Sequence, residues 1–442
     1  MFLIVGLAIA FLCGCNTEAE KKYHTEVSIA GNKWHFNNEV INPGSPAEGL
    51  LMNVRMVNAV FEDRGPELEK QNPDFDPAEN TDEFIRAVPE YVSNGVNAFT
   101  ISLQGGLPGY EGAVNTAFNS DGSLKPEYFE RVEKAIKACD ANHAAVILTL
   151  FYQRQHSHES ALNGKEAIFK AMENTVNWIS EKEFTNVVLE ISNEYRHGGY
   201  QNWPDGEWLS SEAGQVELMK RAKELNPALL VSTSGMGNGL YHNNLAENAD
   251  FLLIHFNNTS LEDYQDKIDV LKKYNKPIVC NEDDKIKQEG AIALALSVLN
   301  GSSWGYMNIK VNQHMPFDFS GVEDDTAVYS MFKAVTTPGF QIDQESLKQT
   351  SIVITSPNDG DIFSLGETVP IELSHLNPDR SVPYTIELLA NNKPAAKVGQ
   401  KLQVNWQPEE PGAVVFEAVV EDASGEEMYR SPKMDIIVQP SK

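Results

Sequence analysis

Eight short aliphatic runs, most of them followed by a stretch with helical periodicity, constrain the fold of this 442-residue chain more than any other feature. They lie at residues 50–57, 97–103, 145–152, 187–193, 229–234, 251–256, 277–281 and 303–309. Runs such as AVILTLFY and VVLEIS are apolar at odd and even positions alike, which marks strands buried on both faces. Between them, residues 126–140 place Phe129, Val132, Ile136 and Cys139 on one helical face behind Pro126. Residues 260–274 open with Ser260 as the expected N-cap and carry Glu262 and Asp263 in the first turn. Residues 289–299 are rich in Ala and Leu, with Gly301 near the stop. Eight such units over roughly 300 residues match a closed (β/α)8 TIM barrel in count and size. A doubly wound sheet would call for a glycine-rich turn after the first strand, and none is there.

A hairpin-like segment, 27–41, precedes the barrel and turns near Asn37 and Asn38. The pattern changes near residue 340. Downstream come short strands broken by Asp-Gly, Gly-Glu, Asn-Asn and Pro-Gly turns, with no helical period. This predicts an all-β sandwich over 351–442, after a barrel at 27–340 and a linker at 341–350. The sandwich resembles the immunoglobulin-like modules appended to secreted bacterial enzymes. It contains no cysteine, so no inter-sheet disulfide is expected.

The first residues, MFLIVGLAIAFLCGC, form an apolar run too short to span a membrane and fit a signal-peptide core. Leu12-Cys13-Gly14-Cys15 resembles the bacterial lipobox, although only Met1 stands where such signals carry basic residues. The resemblance implies cleavage before Cys15, lipidation of its thiol and a polar tether at 16–26. The protein would then be anchored to a membrane of the bacterial cell envelope. Cys139 and Cys280 lie in apolar patterns and read as small core residues. Lys and Arg number 35 against 63 Asp and Glu, a net charge of −28, which repels phosphate backbones and excludes nucleic acid as an expected partner.

Chemistry in a (β/α)8 barrel sits where strands meet their C-terminal loops. The fourth run ends in Asn193-Glu194 and the seventh in Asn281-Glu282. A carboxylate after an aliphatic strand is costly to desolvate unless it stands at an open mouth. Two glutamates across one mouth suit a retaining glycosidase, in which one acid serves as proton donor and then base while the other attacks the sugar carbon. Such a division of labour calls for a raised pKa at Glu194 and an ordinary one at Glu282.

Around these residues the chain resembles the retaining (β/α)8 glycoside hydrolases, most nearly the cellulase-like family five. Glu190, Asn193 and Glu194 fall on that family's fourth-strand pattern. The resemblance implies Glu194 as acid/base, Asn193 on the sugar 2-hydroxyl, Glu282 as nucleophile, and a polysaccharide or oligosaccharide substrate with no cofactor. His255 matches a histidine at the end of the sixth strand, and Trp304 or Tyr306 would form an aromatic floor. The departures are Tyr195 in place of a proline, Asn257 in place of a tyrosine, and no arginine or histidine on strands two and three. Arg55 on strand one is the cation available to hold Glu282 ionised. Tyr152, Gln153, Arg154 and His156 follow strand three and are placed to reach substrate. In the loop 195–208, Tyr195 and Trp203 offer flat faces for sugar stacking, while Arg154 and Lys310 would suit sulfate or carboxylate groups.

Other readings stand beside this one. Glu190 shares Glu194's strand parity and is expected to be a buried structural partner. Asp283 is a rival to Glu282, and Asp284 a loop carboxylate. His156 and His158, joined by His255 and Asp283, would make a metal-dependent barrel hydrolase. A non-catalytic surface carbohydrate-binding protein is the third class.

Overall fold

The protein is described from a computed structural model covering residues 25–62, 75–107, 110–154, 161–309, 311, 319–347, 351–357, 360–376, 383–398 and 402–440. Cys15, His156, His158 and Lys310 lie outside these residues. The chain opens with a three-stranded meander, β1 (Val27–Ala30), β2 (Lys33–Phe36) and β3 (Glu39–Val40). Asn37 and Asn38, both at positive φ, make its second turn.

Among the described residues, eight strands then form the barrel ring. β4 (Asn53–Arg55) and β5 (Ala98–Ser102) come first. A hairpin of β6 (Gln104–Leu107) and β7 (Tyr110–Thr116) follows. The ring continues with β8 (Ala145–Phe151), β9 (Val187–Ser192), β10 (Val231–Ser232), β11 (Leu252–His255), β12 (Ile278–Glu282) and β13 (Gly305–Tyr306). Continuous parallel pairing runs β10-β9-β8-β5-β4-β13, and β11 pairs β12. Isolated bridges close the two remaining seams, Ser234 to Leu253 at one and Val279 to Ser303 and Asp283 to Tyr306 at the other. The expected eight-strand count therefore holds, although β4, β10 and β13 pair over only two or three residues.

Among the described residues, the helices of the barrel domain are α1 (Pro77–Ser93), α2 (Pro126–Ala141), α3 (Lys165–Glu181), α4 (Gly206–Leu209), α5 (Glu212–Leu225), α6 (Asn243–Asn248), α7 (Tyr264–Asp269), α8 (Lys287–Leu299) and α9 (Thr326–Thr336). Pro77 starts α1 behind Asp76, whose carboxylate caps the Ala78 and Glu79 amides. The expected helix at 260–274 is broken into α7 and two short 3-10 turns. Its buried stripe is Tyr264, Ile268 and Leu271, while Val270 is 58% exposed, too little apolar surface to hold one long helix. Ser260 donates to the Asp263 carboxylate instead of capping the backbone.

Inside the ring, Leu51, Ala98, Ile147, Val188, Leu253 and Val279 fill the N-terminal end. Trp34 of the meander plugs it from below, edge-on to Phe251 with ring centroids 5.2 Å apart. Cys139 and Cys280 are free thiols buried in the larger core between strands and helices, as the sequence predicts. Gly305 sits where the ring is tightest: a Cβ there would stand 2.3 Å from Asn53 Oδ1 and 2.7 Å from the Asn281 Cα. Gly305→Ala should therefore cost about 2–3 kcal/mol by overpacking, read as a lower midpoint in urea.

The C-terminal module is the expected sandwich. One sheet holds β14 (Ser351–Ser356), β16 (Val369–Leu376) and β19 (Gln403–Trp406). The other holds β15 (Asp361–Ser364), β17 (Tyr384–Ala390), β18 (Lys393–Val398), β20 (Gly412–Asp422), β21 (Glu427–Arg430) and β22 (Met434–Gln439). Alternating residues such as Ile352, Ile371, Leu388, Phe416 and Ile436 make its core. Within the expected linker, Gln344–Leu347 is helical. Leu347 and the sandwich residue Leu376 bury against Ile292 and Ala295 of α8.

Candidate active site

Arg55 ends β4, Asn193 and Glu194 follow β9, His255 ends β11, and Glu282 ends β12, so all five project at the C-terminal mouth of the ring. Two local irregularities aim them. A register shift after Ile254 sets His255 opposite Glu282. Glu194 takes a left-handed backbone, φ +47°, which costs a non-glycine residue of order 1 kcal/mol. Its N–H is held by Ser234 Oγ at 2.8 Å.

One carboxylate oxygen of Glu194, one of Glu282 and a ring nitrogen of His255 all lie within 4.8 Å of one another. Two ionised carboxylates at that separation repel by about 3 kcal/mol at an effective dielectric near 20. The neighbours break the symmetry. Arg55, 1% exposed, places Nε 3.2 Å from Glu282 Oε2. The Asn257 amide donates to Glu282 Oε1 at 2.8 Å. His255 Nδ1 stands 3.5 Å from Glu194 and 3.6 Å from Glu282. Burial alone would raise the Glu282 carboxyl, but Arg55, His255 and the Asn257 hydrogen bond outweigh it and hold Glu282 below the usual range. The ordinary value expected from sequence is thus corrected downward. Burial would lower His255, yet the Glu282 and Glu194 carboxylates leave it above its ordinary value.

Arg55 also donates to Asn193 Oδ1 at 3.0 Å, and Asn193 Nδ2 donates to Gln153 Oε1 at 3.3 Å. One guanidinium therefore orients both the amide and the carboxylate. Glu190 lies a layer deeper, fully buried, accepting from Thr149 Oγ1 at 2.5 Å and Asn281 Nδ2 at 3.2 Å, the buried structural place expected of it.

Several expected site residues stand elsewhere. Trp304 and Tyr306 are fully buried on the helix side of β13, against Phe332 and Tyr329. Their indole N–H and hydroxyl bond Asp283 and Asp325. Strand alternation turns both outward while Gly305 faces the ring, so neither is an aromatic floor. Trp203 packs edge-on to Phe151 and donates to the Gln153 carbonyl, leaving no face for a sugar. Tyr195 is buried with its hydroxyl on His242 Nδ1, and Tyr152 is 3% exposed. The Asp283 carboxylate is engaged by Tyr264, Trp304 and Lys285, away from the mouth, so it is neither a rival to Glu282 nor a partner for His255 in a metal site. Ser234 and Thr149 support the site without having been expected there; a lone polar residue in a strand carries no signal of its partner.

Asp284 has a different environment. Burial, with Asp283 beside it, pushes its carboxyl up to about 6 from 3.8. Such a group leaves stability intact at low pH and costs about 3 kcal/mol once pH has risen well past 6. Asp284→Asn should therefore melt higher than wild type near pH ~7.5 and match it near pH ~4, as thermal scans at the two pH values will show.

This fold and this carboxylate pair define a (β/α)8 glycoside hydrolase. Residues 71–331 match the family described as Cellulase (glycosyl hydrolase family 5), and the chain belongs to that family. No curated protein is significantly similar to it in sequence. Among solved structures, a putative glycoside hydrolase from Bacteroides vulgatus has 12% identity and a TM-score of 0.52, over 94% of this chain and 83% of that one. The endo-beta-1,4-mannanase from Thermotoga petrophila has 12% identity and a TM-score of 0.47, over 89% and 98%. Fibronectin(III)-like modules of Clostridium thermocellum CbhA match 20% of this chain and 93% of their own at 19% identity, with a TM-score of 0.18.

Proposed function

We propose that this family-five enzyme is a retaining glycoside hydrolase that cleaves an extracellular polysaccharide or its oligomers through a covalent intermediate on Glu282. The observation that carries the reading is the close Glu194–Glu282 pair with Arg55 bound to one member only. Retaining enzymes hold their carboxyl groups about 5–5.5 Å apart, whereas inverting ones leave roughly 6.5–9.5 Å for a water. Glu282, kept anionic by Arg55 and Asn257, attacks the anomeric carbon. Glu194 protonates the departing glycosidic oxygen, so the first half ends with an ester on Glu282 and a neutral leaving alcohol. Glu194, now a carboxylate, takes a proton from water. The resulting hydroxide attacks the same carbon and returns Glu282 as carboxylate, with Arg55 and Asn257 stabilising the charge that reappears. Asn193, fixed by Arg55, is the group for the sugar 2-hydroxyl.

Screening neutral and anionic polysaccharides and following the first-formed anomer by proton NMR tests this. Retention of configuration is expected, and inversion would sink the double displacement. Glu194, His255 and Glu282 also form a geometric candidate for a metal site, which favours one alternative enough to test. Under the proposal EDTA leaves turnover unchanged; loss restored by a divalent metal would favour the metal reading. Retained sugar binding without turnover in the wild type would favour the binding protein.

The reading extends to a lipid anchor at Cys15 in the cell envelope, supported by the lipobox-like Leu12–Cys15 alone. Fatty-acid labelling and membrane fractionation should show label lost and protein released in Cys15→Ala; an unlabelled wild type would contradict it.

A further inference from the structure

A cleft between the barrel and the sandwich shares one residue, Asn257, with the catalytic mouth. A cavity of about 720 Å³ begins at Asn257, whose amide holds Glu282, and continues past Asp284 and Glu289 to Glu372 and Gln403 on the sandwich. Its two walls are fastened together. Leu347 and Leu376 bury against α8, the helix that follows the Glu282 strand. Lys287 Nζ also reaches the Pro357 carbonyl at 3.4 Å. The sandwich is thus seated against the barrel and supplies one wall of this cavity.

Resting on the retaining-hydrolase reading, we propose that this cleft is a subsite for neutral sugar units beyond the reacting one, and that the sandwich residues Gln403 and Glu372 determine chain-length preference. The chemistry of the walls selects the ligand. Gln403 and Glu372 are exposed, 3.4 Å apart, and present an amide and a carboxylate of the kind that pair with sugar hydroxyls. Asn257 Oδ1 is a buried acceptor with no protein partner, so a hydroxyl entering the cleft would satisfy it. The charged lining residues are the carboxylates Asp284, Glu289 and Glu372 and one lysine, Lys285, which commits its ammonium to Asp283 and the Phe256 carbonyl. A sulfated or uronate chain would meet repulsion here without a free cation among the described lining residues, whereas a neutral chain would not.

The test uses the full-length protein with Gln403→Ala, Glu372→Ala and Thr355→Trp, the last to fill the cleft from its sandwich wall. Rates on cellohexaose and mannohexaose are compared with rates on an aryl monoglycoside that occupies only the reacting position. Each alanine variant should lower kcat/KM on the hexasaccharide about tenfold, the scale of one lost hydrogen bond, and leave the aryl glycoside unchanged. Thr355→Trp should do the same more strongly. Equal losses on both substrates, as a structural defect would give, or no loss on either, overturn the proposal. Calorimetry separates its failure from that of the parent reading: hexasaccharide binding weakened by Gln403→Ala supports the cleft even if the wild type turns over neither sugar. Absence of hexasaccharide binding to the wild type overturns the cleft even if the aryl glycoside is cleaved.

Discussion

Glu282→Ala lowers kcat/KM on the order of 10⁵-fold while leaving the fold intact. The size follows from what the side chain does: losing a covalent nucleophile removes a whole reaction route, and the remaining groups retain only binding and electrostatic help. Because Glu282 is a buried anion, its removal also frees Arg55 and Asn257 from the pairings they make with it. Added azide can enter the space left by the carboxylate and attack the sugar carbon directly. The product should then be a glycosyl azide of inverted configuration. Glu194→Ala should instead lose about 10²–10⁴-fold on poor leaving groups, the range of general acid catalysis, and yield the retained azide. Exchange of those two stereochemical outcomes would swap the assigned roles.

Arg55→Ala is expected to lower activity and stability together. It leaves Glu282 as a buried carboxylate without its cation and Asn193 without its donor. Breaking one side of a buried pair costs roughly 3 kcal/mol, so the melting temperature falls. Activity falls by roughly 10²-fold or more, since both the nucleophile and the neighbouring amide lose their orientation. The pH profile carries the specific signature. Glu282 is depressed in the folded protein, so its contribution to stability is complete above about pH 4.5 and is lost as pH falls through the lower folded value. Without Arg55, the largest of the causes opposing burial is gone, so the Glu282 carboxyl rises and the acid limb of kcat/KM moves to higher pH. An unchanged acid limb with a lowered melting temperature would make Arg55 a structural residue only.

The parts of the fold legible in the sequence are those where burial on both faces leaves one kind of pattern. β8 and β9 are buried throughout and were readable as strands with ends nearly in place. β10 and β13 pair over two residues each, and isolated bridges at Ser234, Ser303 and Tyr306 do the closing, which no local pattern reports. The hairpin β6–β7 was missed because its glycine-rich first strand has no apolar alternation. At the site, the two Asn-Glu strand ends and Arg55 were legible, since an ionisable group after an aliphatic strand needs a reason. The aromatic assignments failed for a readable cause. Gly305 between Trp304 and Tyr306 is the residue the ring interior accepts, so strand alternation sends both rings toward α9. Trp203 gives no such clue, because a loop has no period.

The most direct measurement of the central claim is mass spectrometry of peptides after incubation with a 2-deoxy-2-fluoro glycoside bearing a good leaving group, for a sugar the enzyme is found to cleave. Fluorine slows both steps and the leaving group speeds the first, so the covalent ester accumulates. The account predicts a single glycosyl adduct on Glu282, absent from Glu282→Ala. An adduct on Glu194 or Asp283, or inactivation with no adduct at all, would contradict it.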